Sequence, residues 1–175
     1  MKDQLYRILL AVYRRLPRRL RRVLVRAGTP KYTVGSICIV RRHDGAVLLV
    51  RHSYWGRWGT PGGLAKRHEP PAEAAVRETK EEVGLDVEIV GEPVVVVEPV
   101  PHRVDVVFLV RPAPMAALDD VRPTSPEITH VAWFDLSELP PLQPETAAAL
   151  AALQRVGALD VSGADVTPSS GHRTR

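Results

Sequence analysis

The spacing of apolar residues changes near residue 32. Before it, Leu5, Ile8, Leu9, Val12 and Leu16 recur three and four positions apart, the stripe of an amphipathic helix, with Arg7, Arg14 and Arg15 largely off that stripe. Pro17 ends or kinks this helix, since it lacks an amide hydrogen and clashes with the preceding turn. A second short helix through Leu20, Val23 and Leu24 stops at Gly28. After it, Tyr32 to Val40 is rich in β-branched residues, His43-Asp44-Gly45 is a turn signal and Ala46 to Val50 is apolar again, a pattern that predicts a hairpin. Ser53 to Gly63 reads as a loop, and Pro70-Pro71 opens a helix to Val83 with Gly84 just past its end. Val87 to Val90, Val94 to Val97, Val104 to Val110 and Ile128 to Phe134 read as strands, with Gly91 a bulge or bend. Pro112 to Pro126 is a proline-broken loop, Asp135 to Leu139 a short helix entry, and Glu145 to Val156 an Ala-rich helix. Residues 162 to 175 are small and polar, the composition of a disordered tail.

At 175 residues, 45% hydrophobic and 25% charged, the chain is long enough for one core and too apolar for disorder. The expected organisation is a basic helical extension over residues 1–31, a domain over 32–156 and a tail over 157–175. The lone Cys38 cannot form an internal disulfide, so a reducing compartment, the cytoplasm, is expected. The net charge of +4 conceals an asymmetry: residues 1–31 hold ten Lys or Arg against Asp3 alone, or +9, and the rest of the chain holds fourteen bases against nineteen acids, or −5. Such an extension suggests an anionic partner, lipid or RNA, and with it a location peripheral to a membrane. The competing reading is a stripe packed on the domain or on a second subunit of a homodimer. The longest early apolar run, Ile8 to Tyr13, is six residues, far short of the ~20 that cross a bilayer.

The chemistry concentrates between Gly63 and Leu85. At about 100° per residue, Glu78, Glu81 and Glu82 share an arc of roughly 100° on one helix face. Like charges at these spacings destabilise a helix by a few tenths of a kcal/mol per pair, and acids near its C-terminal end oppose the dipole. Folding alone does not select this arrangement. A cation relieves it, and clustered oxygen ligands suit Mg²⁺ or Mn²⁺ better than zinc; an acidic face left in water is the alternative.

A glycine, a spaced glutamate, an arginine, the three acids and a terminal glycine stand at fixed offsets: Gly63, Glu69, Arg77, Glu78, Glu81, Glu82 and Gly84. This resembles the signature GX5EX7REUXEEXGU of the Nudix hydrolase superfamily at all seven fixed positions. Leu85 fits one hydrophobic slot and Thr79 departs mildly from the other. The likeness runs from about Tyr32 to Leu139 and implies an α/β/α sandwich around a mixed β-sheet, here with an extra basic amphipathic helical segment in front.

The resemblance further implies divalent-metal-dependent hydrolysis of a nucleoside diphosphate linked to another moiety. Glu78 and Glu82 would be metal ligands, Glu81 a third and the Gly63 carbonyl a fourth, while Glu69 and Arg77 would support the site by pairing with each other. Glu127, six residues before Trp133, stands where some family members place a further metal-binding or base carboxylate, and otherwise is a solvated loop acid. Which glutamate is the base is left open. Trp55, Arg57 and Arg103 are candidates for stacking on a base or pairing with phosphate, whereas Trp58 reads as a packing residue. His52, His68 and His130 read as surface or hydrogen-bonded histidines. ADP-ribose-like compounds, nucleoside triphosphates, dinucleoside polyphosphates and triphosphorylated RNA all stay open as substrates. A nucleotide-sensing module without hydrolysis is the alternative class, although such modules usually show damage in the acidic cluster, which is intact here.

Overall fold

The computed structural model describes residues 2–159, in two compact units, one ending at Tyr32 and one beginning at Thr33. The tail expected over residues 162–175 lies outside the described residues. The first unit holds α1 (Lys2–Arg15) and α2 (Arg18–Gly28), with the chain extended at Pro17 between them (φ −55°, ψ 146°).

The second unit is the expected α/β/α sandwich. Its strands are β1 (Thr33–Val40), β2 (Val47–His52), β3 (Trp58–Gly59), β4 (Gly62–Leu64), β5 (Val87–Ile89), β6 (Val94–Glu98), β7 (Arg103–Pro112) and β8 (Ile128–Phe134). Its helices are α3 (Pro71–Val83) and α4 (Pro144–Arg155). A five-stranded mixed sheet runs β4-β1-β7-β5 with β6 also on β7, and a three-stranded antiparallel sheet runs β3-β2-β8. The side-chain period of two builds the layers. Cys38 and Val40 of β1, Leu48 and Val50 of β2, and Phe108 and Val110 of β7 pack with Ala75 and Val83 of α3. The alternate residues Ile37, Ile39, Val47, Val107 and Leu109 pack with Leu150 and Leu153 of α4. Strands buried on both faces read as continuous apolar runs, as these do.

Four expectations need correction. The turn at His43-Asp44-Gly45 exists, with Arg42 N–H on the Ala46 carbonyl at 2.8 Å, but it does not close a hairpin. β1 pairs in parallel with β7 from Thr33↔Arg103 to Val40↔Val110, β2 pairs with β8, and a single bridge, Arg41↔Val47, joins the two strands. Both edges of β1 are taken, by β4 and β7, so the turn carries the chain from one sheet to the other. Residues Asp135 to Leu139 form no helix: the Asp135 carboxylate accepts from the Ser137 amide (2.8 Å) and hydroxyl (2.7 Å), an Asx turn that competes with helix. Finally, Leu159 is buried with the α4 layer and Ala158 packs beside it, so core packing continues past residue 156. The loop expected over 53–63 also contains β3 and the start of β4.

Candidate active site

α3 begins after two prolines and ends at Gly84, whose left-handed backbone (φ 72°) lets its N–H cap the Lys80 carbonyl. The loop after a short 3₁₀ turn at Leu118–Asp120 closes over this end, with Thr124 N–H on the Glu82 carbonyl and Thr124 Oγ1 on the Glu81 carbonyl, both at 2.9 Å. The mild departure at Thr79 is accommodated: Thr79 is fully buried and its hydroxyl donates to the Ala75 carbonyl one turn back (2.9 Å). Cys38 lies beside it with Sγ 3.3 Å from that same carbonyl, and burial pushes its thiol up to about 11, an inert core thiol.

Arg77 is the hub of the acidic face. Its Nε and Nη2 fork onto Glu69 at 2.7 and 2.9 Å, and its Nη1 donates to Glu78 at 2.7 Å and to Glu81 at 2.9 Å. Glu69 also accepts from the Lys66 amide (2.7 Å). The guanidinium and that amide hold its carboxyl down at about 2, and the three glutamates raise Arg77 further above its ordinary range. One planar cation therefore ties the β4–α3 loop to the helix. Glu78 lies directly over Gly63: a Cβ there would stand 2.6 Å from the carboxylate carbon. A side chain at Gly63 would therefore displace the Glu78 carboxylate, whereas at Gly62 (φ 155°) it would meet the Ser36 backbone carbonyl.

Glu82, one turn on from Glu78, is only 5% exposed. Its Oε2 accepts from the Gly62 amide (3.1 Å) and its Oε1 lies 3.8 Å from His52 Nε2. Burial pushes this carboxyl above the usual range, while His52 and the Gly62 N–H pull it back. His52 is itself buried, and its Nδ1 lies 3.1 Å from Gln143 Nε2. The same amide nitrogen is 3.4 Å from the Arg57 carbonyl, a partner that only a donor satisfies. His52 Nδ1 therefore accepts, and its hydrogen sits on Nε2, facing Glu82.

Beside this group a cavity of about 230 Å³ opens, lined by His52, Gly62 and Gly63 on the acidic side and by Tyr54, Trp55, Thr60, Arg103, Gln143, Glu145 and Thr146 around it. Trp55 and Tyr54 are exposed on its wall. Arg103 is oriented by the buried Asp105, whose carboxylate its Nε meets at 2.8 Å. Arg57 is exposed and does not line the cavity, contributing only its carbonyl to Gln143. Trp58 packs edge-on against Phe134 with centroids 4.9 Å apart. Glu127 is exposed; its carbonyl accepts from the Ser53 amide at 2.8 Å. Its charge, together with that of Glu82, adds to burial in raising the Tyr54 hydroxyl, so it borders the same region. Gln143, Glu145 and Thr146 carried no signal in the sequence, because they reach the cavity only when the start of α4 packs beside β3.

A hard cation suits a donor set of carboxylate oxygens. Glu82 adds a buried anionic group whose desolvation such a cation offsets. Among the described residues no three acids, histidines or cysteines converge at metal-binding distance; Arg77 holds Glu78 and Glu81 instead.

A family model described as the NUDIX domain matches residues 31–154. The chain belongs to the Nudix family. It is a hydrolase of that family and resembles, at 31% identity over 142 residues, a MutT-like protein of Streptomyces ambofaciens, the match covering 81% of this chain and 86% of the relative. Among solved structures, a MutT Nudix hydrolase from Burkholderia pseudomallei superposes with TM-score 0.58 and 29% identity, over 71% of this chain and 99% of that one. An ADP-ribose pyrophosphatase from Streptococcus suis superposes with TM-score 0.58 and 26% identity, over 72% and 92% of the two chains. The regions outside the Nudix match are residues 1–30 and 155–175.

Proposed function

We propose that this Nudix hydrolase is a divalent-metal-dependent pyrophosphohydrolase that cleaves the diphosphate of a nucleoside diphosphate linked to another moiety. The observation that carries this reading is the buried Glu82 carboxylate, held by the Gly62 amide where Gly62 and Gly63 line a cavity with an exposed aromatic wall. An intact acidic face is the reason to prefer hydrolysis over a sensing module.

Glu78, Glu81 and Glu82, with the Gly63 carbonyl, would hold the cation, Mg²⁺ or Mn²⁺. When bound, it neutralises the diphosphate and polarises its phosphoryl oxygens. Arg77 and Glu69 act from behind, fixing the loop against α3. His52, locked by Gln143, sets its Nε2 3.8 Å from the Glu82 carboxylate and favours its charge. Glu127 is the candidate to take the proton from the attacking water. Trp55 stacks on the nucleobase or a second ring, and Arg103 receives a substrate oxygen; ADP-ribose-like compounds and nucleoside triphosphates both satisfy that chemistry.

Reaction with Mg²⁺ in H₂¹⁸O tests the reading. Nucleotide substrate should yield two phosphorylated products with ¹⁸O in one of them, whereas tight nucleotide binding without cleavage would return the site to a sensing module. Glu127→Gln should cut turnover by about a hundredfold, the lower end for a lost general base. Its melting temperature should stay near wild type because the side chain is exposed, and unchanged turnover would remove Glu127 from the site. Trp55→Ala should raise KM about tenfold with kcat nearly constant, as expected when stacking of ~1–3 kcal/mol per base is lost; a kcat loss at constant KM would place Trp55 in the chemistry instead.

A further inference from the structure

The unit that ends at Tyr32 has a surface the hydrolase chemistry does not use. On α1, Leu5, Leu9 and Val12 are more than half exposed, and on α2, Leu20, Val23 and Leu24 are close to half exposed or more; no residue of α2 is buried. At about 100° per residue, Leu20, Val23, Leu24 and Ala27 share an arc of roughly 100°, and the five arginines of α2 occupy an arc of roughly 160° on the other side. The nearest acids in the chain are Asp3 and Asp44. Between the two helices, Tyr13, Arg18, Arg21, Arg22, Val25 and Arg26 line a cleft of about 510 Å³. Arg21 lies over the Tyr13 ring, 5.9 Å from its centroid, and its Nε is buried with no hydrogen-bond acceptor.

We propose that this unit docks the protein on an anionic phospholipid surface. The apolar faces would enter the boundary between headgroups and acyl chains, and the flanking arginines would reach headgroup phosphates. RNA would engage the arginines and leave Leu5, Leu9, Leu20 and Leu24 in water. A second copy of the chain would cover the leucines but bring together two segments of charge +9. Among the described residues no helix is long and apolar enough to cross a membrane, so the contact is interfacial.

The test is co-sedimentation of the full chain with phosphatidylcholine vesicles, with and without phosphatidylglycerol. Binding is expected only with phosphatidylglycerol, and to weaken as salt rises. Leu20→Glu/Leu24→Glu should lose about tenfold or more in partitioning, and Arg18→Glu/Arg22→Glu about 25-fold or more, at roughly fivefold per arginine removed near the surface. Both variants should hydrolyse soluble substrate at the wild-type rate. Three results would each overturn the proposal: no binding to either vesicle, equal binding of wild type and both variants, or RNA binding that the leucine variant keeps while wild type ignores vesicles. So would a wild-type dimer that the leucine variant dissolves without any vesicle binding in either form.

Discussion

Glu82→Gln is expected to lower turnover by about a thousandfold or more, without lowering the melting temperature of the metal-free protein. The two parts have one cause. Glu82 is buried, and its carboxyl is pushed up by desolvation. A group whose folded pKa is raised stabilises the fold below its unfolded pKa, and that contribution is lost as pH rises through the folded value. At neutral pH the ionised Glu82 is therefore a burden on the folded protein, which the neutral amide removes while keeping the acceptor for the Gly62 N–H. The charge it carries is the one a divalent cation needs, and losing several kcal/mol of transition-state stabilisation, at about 1.4 kcal/mol per decade, gives the thousandfold. Thermal unfolding with and without Mg²⁺ separates the parts: wild type should gain stability with added Mg²⁺ and the variant should gain little. A variant that melts far lower and keeps its turnover would assign Glu82 to the core alone.

Arg77→Ala should be the most damaging change on the other side of the site. Its guanidinium is a donor to Glu69, Glu78 and Glu81 together. Without it the acids at positions 78, 81 and 82 repel along one helix face, and the loop from Gly63 to Glu69 loses its main tie to α3. A ten- to hundredfold drop in kcat/KM is expected, the size seen when a supporting partner is removed, together with a lower melting temperature. Lysine should restore only part of either, since a point charge cannot fork onto Glu69 while bridging two more carboxylates.

The pH dependence gives a sharper reading of the same pair. Glu69 is held at about 2 by Arg77 and the Lys66 amide, against an ordinary value of 4.5. A depressed carboxylate contributes stability that is present above pH 4.5 and lost as pH falls from there toward 2. Wild-type melting temperature should fall across that window, and Arg77→Ala should flatten this part of the fall while starting lower. Equal slopes would mean the pair does not persist in solution.

Local pattern carried much of this structure. The apolar runs of β1, β2 and β7 announced strands, and Pro70-Pro71 and Gly84 marked the ends of α3. The acidic arc followed from helix geometry alone. What failed was pairing: His43-Asp44-Gly45 is a sound turn signal, but turn chemistry is local, and which strand lies beside β1 is decided by core layers built from residues far away. The cavity was illegible for the same reason. Gln143 reaches His52 across 91 positions of sequence, and no spacing rule connects them. His52 read as an ordinary histidine because its environment, the buried Glu82 on one nitrogen and Gln143 on the other, exists only in the folded chain.

The most direct test of the central claim is mass-spectrometric product analysis of the wild-type protein and Glu82→Gln, each incubated with ADP-ribose and nucleoside triphosphates, with Mg²⁺ and with excess chelator. Diphosphate cleavage by wild type that requires the metal and vanishes in Glu82→Gln is the predicted result. Cleavage that continues in chelator, or that Glu82→Gln retains, would contradict it.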